Sequence, residues 1–158
     1  MSNGGLSRRT ALLALVAVPV AAGCAPSTPD IDSWRLHARR AVSDVLSSVQ
    51  TSRLALEQAL DGTLFDAYVQ TLTVDAEEAG SSAADKLAAE QPPVPEQKRF
   101  TVVTGRLDEA TGLLADARIA AVDGRTGDYP DLVERLHSTA ARLDTLEQDL
   151  HHPPRSRP

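Results

Sequence analysis

One cysteine, four histidines and 22 carboxylate side chains bound the chemistry available to this 158-residue chain. Cys24 has no second thiol to pair with, so no disulfide can form within the chain. Glu134-Arg135-Leu136-His137 has the Glu-x-x-His spacing that di-metal helical bundles place on each of two helices, with a further Glu from each of the others. No second such tetrad exists, so half of that ligand set is missing and the pair reads as a coincidence on a solvated face. Folding the chain back about its turns brings His37, Asp85, Arg99 and His151 to one level. His37 and Asp85 with His151 or His152 are the candidate ligands for Zn²⁺ or Cu²⁺, since imidazole and carboxylate suit both ions. Arg99 at that level opposes a cation, solvated histidines are the plainer reading, and no metal or other cofactor is expected. The same fold-back brings Ser47 or Ser48, Asp75, Glu109 and Arg142 to mid-height. Asp75 and Arg142 are the candidate buried polar pair, with Arg53 and Arg118 as other partners for Asp75 and an exposed Asp75 as the alternative. Such a pair fixes register more than it adds stability. There is no Gly-x-Ser-x-Gly elbow and no Gly-rich phosphate loop, and the Asp123–Asp128 loop lacks calcium-loop spacing. These absences favour a non-enzymatic protein.

The N-terminal 23 residues read as an export segment. A basic start, Leu6-Ser7-Arg8-Arg9-Thr10, leads into the apolar run Ala11 to Val18, then Pro19 and small residues up to Gly23. The run covers roughly a dozen residues, where a membrane-spanning helix needs about 20, so it fits the apolar core of a signal peptide. Val20-Ala21-Ala22-Gly23-Cys24 resembles a lipobox, in which the Cys after the cut takes a diacylglyceryl group. Ala21 departs from the Leu, Val or Ile usual at that position. Ser7-Arg8-Arg9-Thr10-Ala11-Leu12 resembles a twin-arginine signal, with Ala11 in place of the usual Phe. An ordinary Sec signal needs only the basic start, so both export routes stay open. Residues 24–30 then form the lipidated Cys and a short, extended, Pro-bearing tether.

Hydrophobic residues make up 42% of the chain and aromatics only 3%, so the core must be built from Leu, Val and Ala, as in helical bundles. Cutting after residue 23 removes Arg8 and Arg9 from 16 basic residues against 22 acidic, taking the charge from -6 to -8. A net negative chain with few aromatics is a poor nucleic-acid binder. Four stripes at helical spacing follow the tether. The first, starting with Pro29 in its first turn, runs Ile31, Trp34, Ala38, Val42, Val45, Val49, Leu56, Leu60 and stops at Asp61-Gly62. The second, capped by Thr63, runs Leu64, Tyr68, Leu72, Ala76, Ala79, Ala83, Leu87 and ends at Pro92-Pro93. Its segment Ala79-Gly80-Ser81-Ser82-Ala83-Ala84 is nearly all small, which lets a neighbouring backbone come close. The third runs Phe100, Val103, Leu107, Ala110, Leu114, Ala117, Ala121, and Gly124 closes it. The fourth, capped by Asp128, runs Leu132, Leu136, Ala140, Leu143, Leu146 or Glu147, and Leu150.

The expected fold is all-α, an up-down-up-down antiparallel four-helix bundle over residues 31–150 preceded by a cleaved lipoprotein signal peptide, with a disordered basic tail over 151–158. Ser7-Arg8-Arg9, Ala22-Gly23-Cys24, Asp75-Ala76-Glu77-Glu78, Gln91-Pro92-Pro93 and Ala117-Arg118-Ile119-Ala120 carry a resemblance to uncharacterised all-helical lipoproteins of high-GC Gram-positive bacteria. That group has no assigned activity, so the resemblance implies location and fold. The expectation is a lipoprotein on the outer face of the cytoplasmic membrane, held by lipid on Cys24 and acting as a non-enzymatic interaction or structural module. Its partner, a protein or small molecule, is unnamed by the sequence, and nucleic acid is not expected. The alternative is an exported bundle that binds a metal or small ligand.

Overall fold

The computed structural model describes residues 30–151. The expected signal peptide with Arg8 and Arg9, Cys24, the tether through Pro29, His152 and the basic tail beyond it lie outside the described residues.

Four helices account for most of the described chain: α1 (Ile31–Leu60), α2 (Asp66–Ala88), α3 (Gln97–Val122) and α4 (Tyr129–His151). Single 3-10 turns, Val94–Glu96 and Thr126–Asp128, lead into α3 and α4, and there is no strand among the described residues. The four helices pack against one another; α1 touches all three others and is the hub of the arrangement. No described helix is long and apolar enough to cross a membrane.

Local chemistry explains the helix boundaries. α1 starts at Ile31, later than Pro29 suggests, because Asp30 takes the N-cap: its Oδ1 accepts the Ser33 N–H at 2.8 Å. That bond holds the Asp30 carboxyl below the usual carboxylate range. α1 and α3 end alike, each at an Asp followed by a glycine of positive φ, 69° at Gly62 and 66° at Gly124. The residue after each glycine closes a six-residue loop, with Thr63 N–H donating to Gln58 O and Arg125 N–H to Ala120 O. This pairing satisfies carbonyls that a helix end otherwise leaves open. Thr63 is therefore part of the α1 terminus, where its hydroxyl also reaches Gln58 Oε1 at 2.7 Å, and it does not cap α2. Phe65 stands at that N-cap and makes no side-chain cap bond.

The core is one cluster drawn from all four helices. In α3 the expected stripe from Val103 to Ala121 is buried throughout, and Phe100 packs at its edge. In α4 Leu132, Leu136, Leu143 and Leu150 are buried, with Ala140 and Leu146 partly so. Trp34 to Leu56 of the α1 stripe is buried, whereas Ile31 and Leu60 at its ends are exposed. Of the α2 stripe, Ala76, Ala83 and Leu87 are buried as expected and Leu64 packs at the core edge, but Tyr68 and Ala79 face solvent, and Val69, Thr73 and Gly80 take the remaining inward places. Gly80 shows why. A Cβ there would lie 2.7 Å from Leu114 Cδ1 and 3.3 Å from Ser48 Cβ, so α2 is pressed close to both α1 and α3. Turning this face inward lets the backbones approach more closely than Tyr68 would permit.

Candidate functional site

Several long-range polar contacts meet at one end of the structure. Glu96, last residue of the Val94–Glu96 turn, has a side chain only 4% exposed. It accepts from Arg35 of α1 at 2.5 Å on one oxygen and from Arg99 of α3 at 2.9 Å on the other. Burying a carboxylate is costly without such partners, and here two guanidiniums keep their outer edges in water while closing on it. Next to this clamp, His37 Nδ1 lies 2.9 Å from Glu90 Oε1, linking the first turns of α1 to the chain just past α2. Arg39 lies 2.9 Å from His151 Nδ1, linking α1 to the last residue of α4. Arg has no acceptor, so it donates and that imidazole nitrogen accepts. His151 thus belongs to α4 and not to the tail.

A shallow groove of about 180 Å³ runs between α1 and α2 beside the His37–Glu90 pair, with Arg40, Asp44 and Lys86 on its walls. His37 and His151 do share this end, but each turns to its own partner and Asp85 faces solvent. Among the described residues no group of three or more His, Cys, Asp or Glu could hold a metal ion. Glu134 and His137 are both exposed.

The mid-height cluster does not assemble. Asp75 and Arg142 are exposed, which corrects the expected buried pair. Asp75 lies on the outward side of α2, beyond the line through Val69, Thr73 and Ala76, and Arg142 donates to Thr139 Oγ1 of its own helix at 2.9 Å. Arg118 bonds Glu77 of α2, Arg53 bonds Glu57 of α1, and Glu109 takes Arg106 at 2.8 Å. Glu77–Arg118 is thus the carboxylate–guanidinium bridge from α2, two residues beyond the one expected. Ser48 is buried against Gly80, whereas Ser47 is exposed.

The opposite end has a different character. Around the α1–α2 and α3–α4 connections stand exposed carboxylates and apolar groups, with Arg125 and Arg135 paired to neighbouring Asp side chains. Tyr129, first residue of α4, is buried there, and burial together with the charge of Asp66 raises its phenol pKa. The beginnings of α2 and α4 therefore share this end. Phe65 and Tyr68 are 78% and 61% exposed, and Leu60 beside them is 48% exposed.

Glu90 and Glu96 were missed because neither belongs to an apolar stripe; the available signal was Glu96 three residues ahead of Arg99 behind Pro95. Phe65 and Tyr68 were missed because Tyr68 fitted a stripe. Comparison of the chain with protein-family models, with curated proteins and with solved structures finds no match.

Proposed function

We propose that the protein is a membrane-anchored surface lipoprotein whose helical domain acts as a non-enzymatic interaction or structural module. The observation that carries this reading is Cys24: the chain's only cysteine follows Ala22-Gly23 at the end of the apolar run, six residues ahead of the Asp30 cap. A lone thiol in an exported chain has no disulfide partner, whereas a lipid on it gives a domain whose described helices do not span a membrane its hold on the bilayer. The signal peptide over 1–23, with Arg8 and Arg9 as its export signal by the twin-arginine or the Sec route, and the placement on the outer face of the cytoplasmic membrane follow from the same segment.

The finer fold is an up-down-up-down antiparallel bundle. The reading is supported by the pairs that join the start of α1 to the α2–α3 connection and to the end of α4. In that topology the tether, the Pro-rich turn and the basic tail face the bilayer, and the two Asp-Gly turns face outward. One stable acyl anchor takes more than a single chain, which a diacylated Cys provides.

Replacing Cys24 tests the reading. Wild-type protein is expected in the membrane fraction with a mass increased by lipid, and Cys24→Ser protein in the soluble fraction without that increase. A Cys24→Ser protein that stays membrane-bound at unchanged mass would overturn it.

A further inference from the structure

The chain has only five aromatic side chains, and Phe65 and Tyr68 stand in solvent one helical turn apart. Their positions give no local benefit. Ser, Thr, Asp or Asn at the N-cap would satisfy a free N–H of α2, and Phe65 satisfies none. Thr63, the nearest side chain able to cap, is engaged with Gln58 instead. Tyr68 follows in the first turn, outside the inward stripe, and Leu60 at the end of α1 is exposed as well. Aromatic side chains of this kind give large contact area for little lost rotamer freedom and dominate binding energy where they are anchored in a partner.

The rim decides what can cover them. Asp61 precedes the aromatic pair and Asp66 stands between its two members, and Asp123 and Asp128 of the α3–α4 connection and Asp131 in the first turn of α4 are all exposed. The charge of Asp66 reaches Tyr129, so both connections contribute to one end. Arg125 is the cation of that connection, and it is held by Asp123 at 3.6 Å and Asp128 at 3.1 Å. Arg135 likewise engages Asp131 at 3.5 Å, so five carboxylates stand against two engaged guanidiniums and leave this end net negative. A second copy docking through the same face would set carboxylates against carboxylates, and an anionic bilayer would be repelled. A cationic surface is drawn in.

We propose that the end carrying Phe65 and Tyr68 is a docking site for a Lys- or Arg-rich segment of another protein, with the two aromatic rings as its apolar anchors and the Asp rim as its charge complement. The site rests on the interaction-module reading and supplies the chemistry of its partner.

A photo-crosslinking phenylalanine derivative in place of Phe65, and separately in place of exposed Glu78 further along α2, tests this in the full chain made by its own cells. The expected result is a discrete adduct from position 65 to another polypeptide, through a segment of net positive charge, with none from position 78. Its yield should fall about tenfold on Tyr68→Ala and about tenfold when Asp61→Lys and Asp66→Lys are combined, with each variant keeping the helical circular dichroism of the wild type. The site is refuted by no adduct, by equal adducts at both positions, by an adduct to lipid, to a second copy or to an acidic segment, or by a yield that charge reversal leaves intact. Mass and membrane fractionation of the same cells separate the two readings. Anchored, lipid-bearing protein without the adduct refutes the docking site alone, and protein without lipid that still forms the adduct refutes the anchor alone.

Discussion

At the scale of single residues, the same glycine-to-alanine change should have opposite signs at two positions. Gly112 lies in mid-α3, exposed, with nothing within 4 Å of an added Cβ. Alanine there restricts the unfolded chain and suits the helix, so Gly112→Ala is expected to raise stability by about 0.5–1 kcal/mol. Gly80 would gain the same propensity, but its Cβ would collide with Leu114, a side chain with no exposure and little room to yield. Overpacking costs about 1–3 kcal/mol, which outweighs the propensity term, so Gly80→Ala is expected to lower stability by roughly 1 kcal/mol. Leu114→Val removes the colliding methyl and should reduce the penalty of Gly80→Ala in a double-mutant cycle read by urea unfolding. Equal stabilisation by Gly80→Ala and Gly112→Ala would show that α2 is not held close by this contact.

Between elements, the Arg35–Glu96–Arg99 clamp ties the start of α1 to the entry of α3. Glu96→Ala leaves two guanidiniums without their carboxylate, but both are partly solvated and can rehydrate, so the loss is below that of a fully buried ion. A cost of roughly 1–3 kcal/mol is expected. Faster amide exchange should follow in the first turns of α1 and α3, and Arg106→Ala, which removes an exposed pair, should change stability by less than about 1 kcal/mol. How much of this was legible in the sequence depended on the contrast of each face. In α3 and α4, Leu and Val recur on one side against charged residues on the other, and the stripes from Val103 and Leu132 read correctly. The two Asp-Gly stops were also legible, because φ near +66° to +69° is where glycine is favoured. In α2 the inward residues Thr73 and Gly80 carry almost no hydropathy, so Tyr68 outweighed Val69 and Ala79 outweighed Gly80, while Ala76, Ala83 and Leu87 read correctly. Those two slips set Asp75 inward, where the structure exposes it. The ion pairs of Glu90 and Glu96 were not legible, since they depend on which turn of α1 lies opposite the Pro-rich connection, and local spacing carries no such register.

For the molecule as a whole, the decisive property is that all four helices share one core and α1 touches each of the others. A single helix of this length buries only one stripe and is marginal on its own in water, so neither the α1–α2 half nor the α3–α4 half has a closed core of its own. α4 leans chiefly on α1, and α2 on α1 and α3. Loss of α1 therefore exposes every other stripe at once. Unfolding is expected to be one cooperative step. Trp34 is the only tryptophan and is fully buried in α1, so its emission reports that core directly, while far-ultraviolet circular dichroism reports all helices. The two urea transitions should coincide in midpoint and slope. Leu107→Ala in α3, which removes a fully buried side chain at a cost of about 2–5 kcal/mol, should shift both together even though the reporter is on another helix. Separate transitions, or a Leu107→Ala shift visible in dichroism and not in Trp34 emission, would mean that the helices divide into two cooperative units, and the shared core would then hold only in the native contacts and not in the energetics.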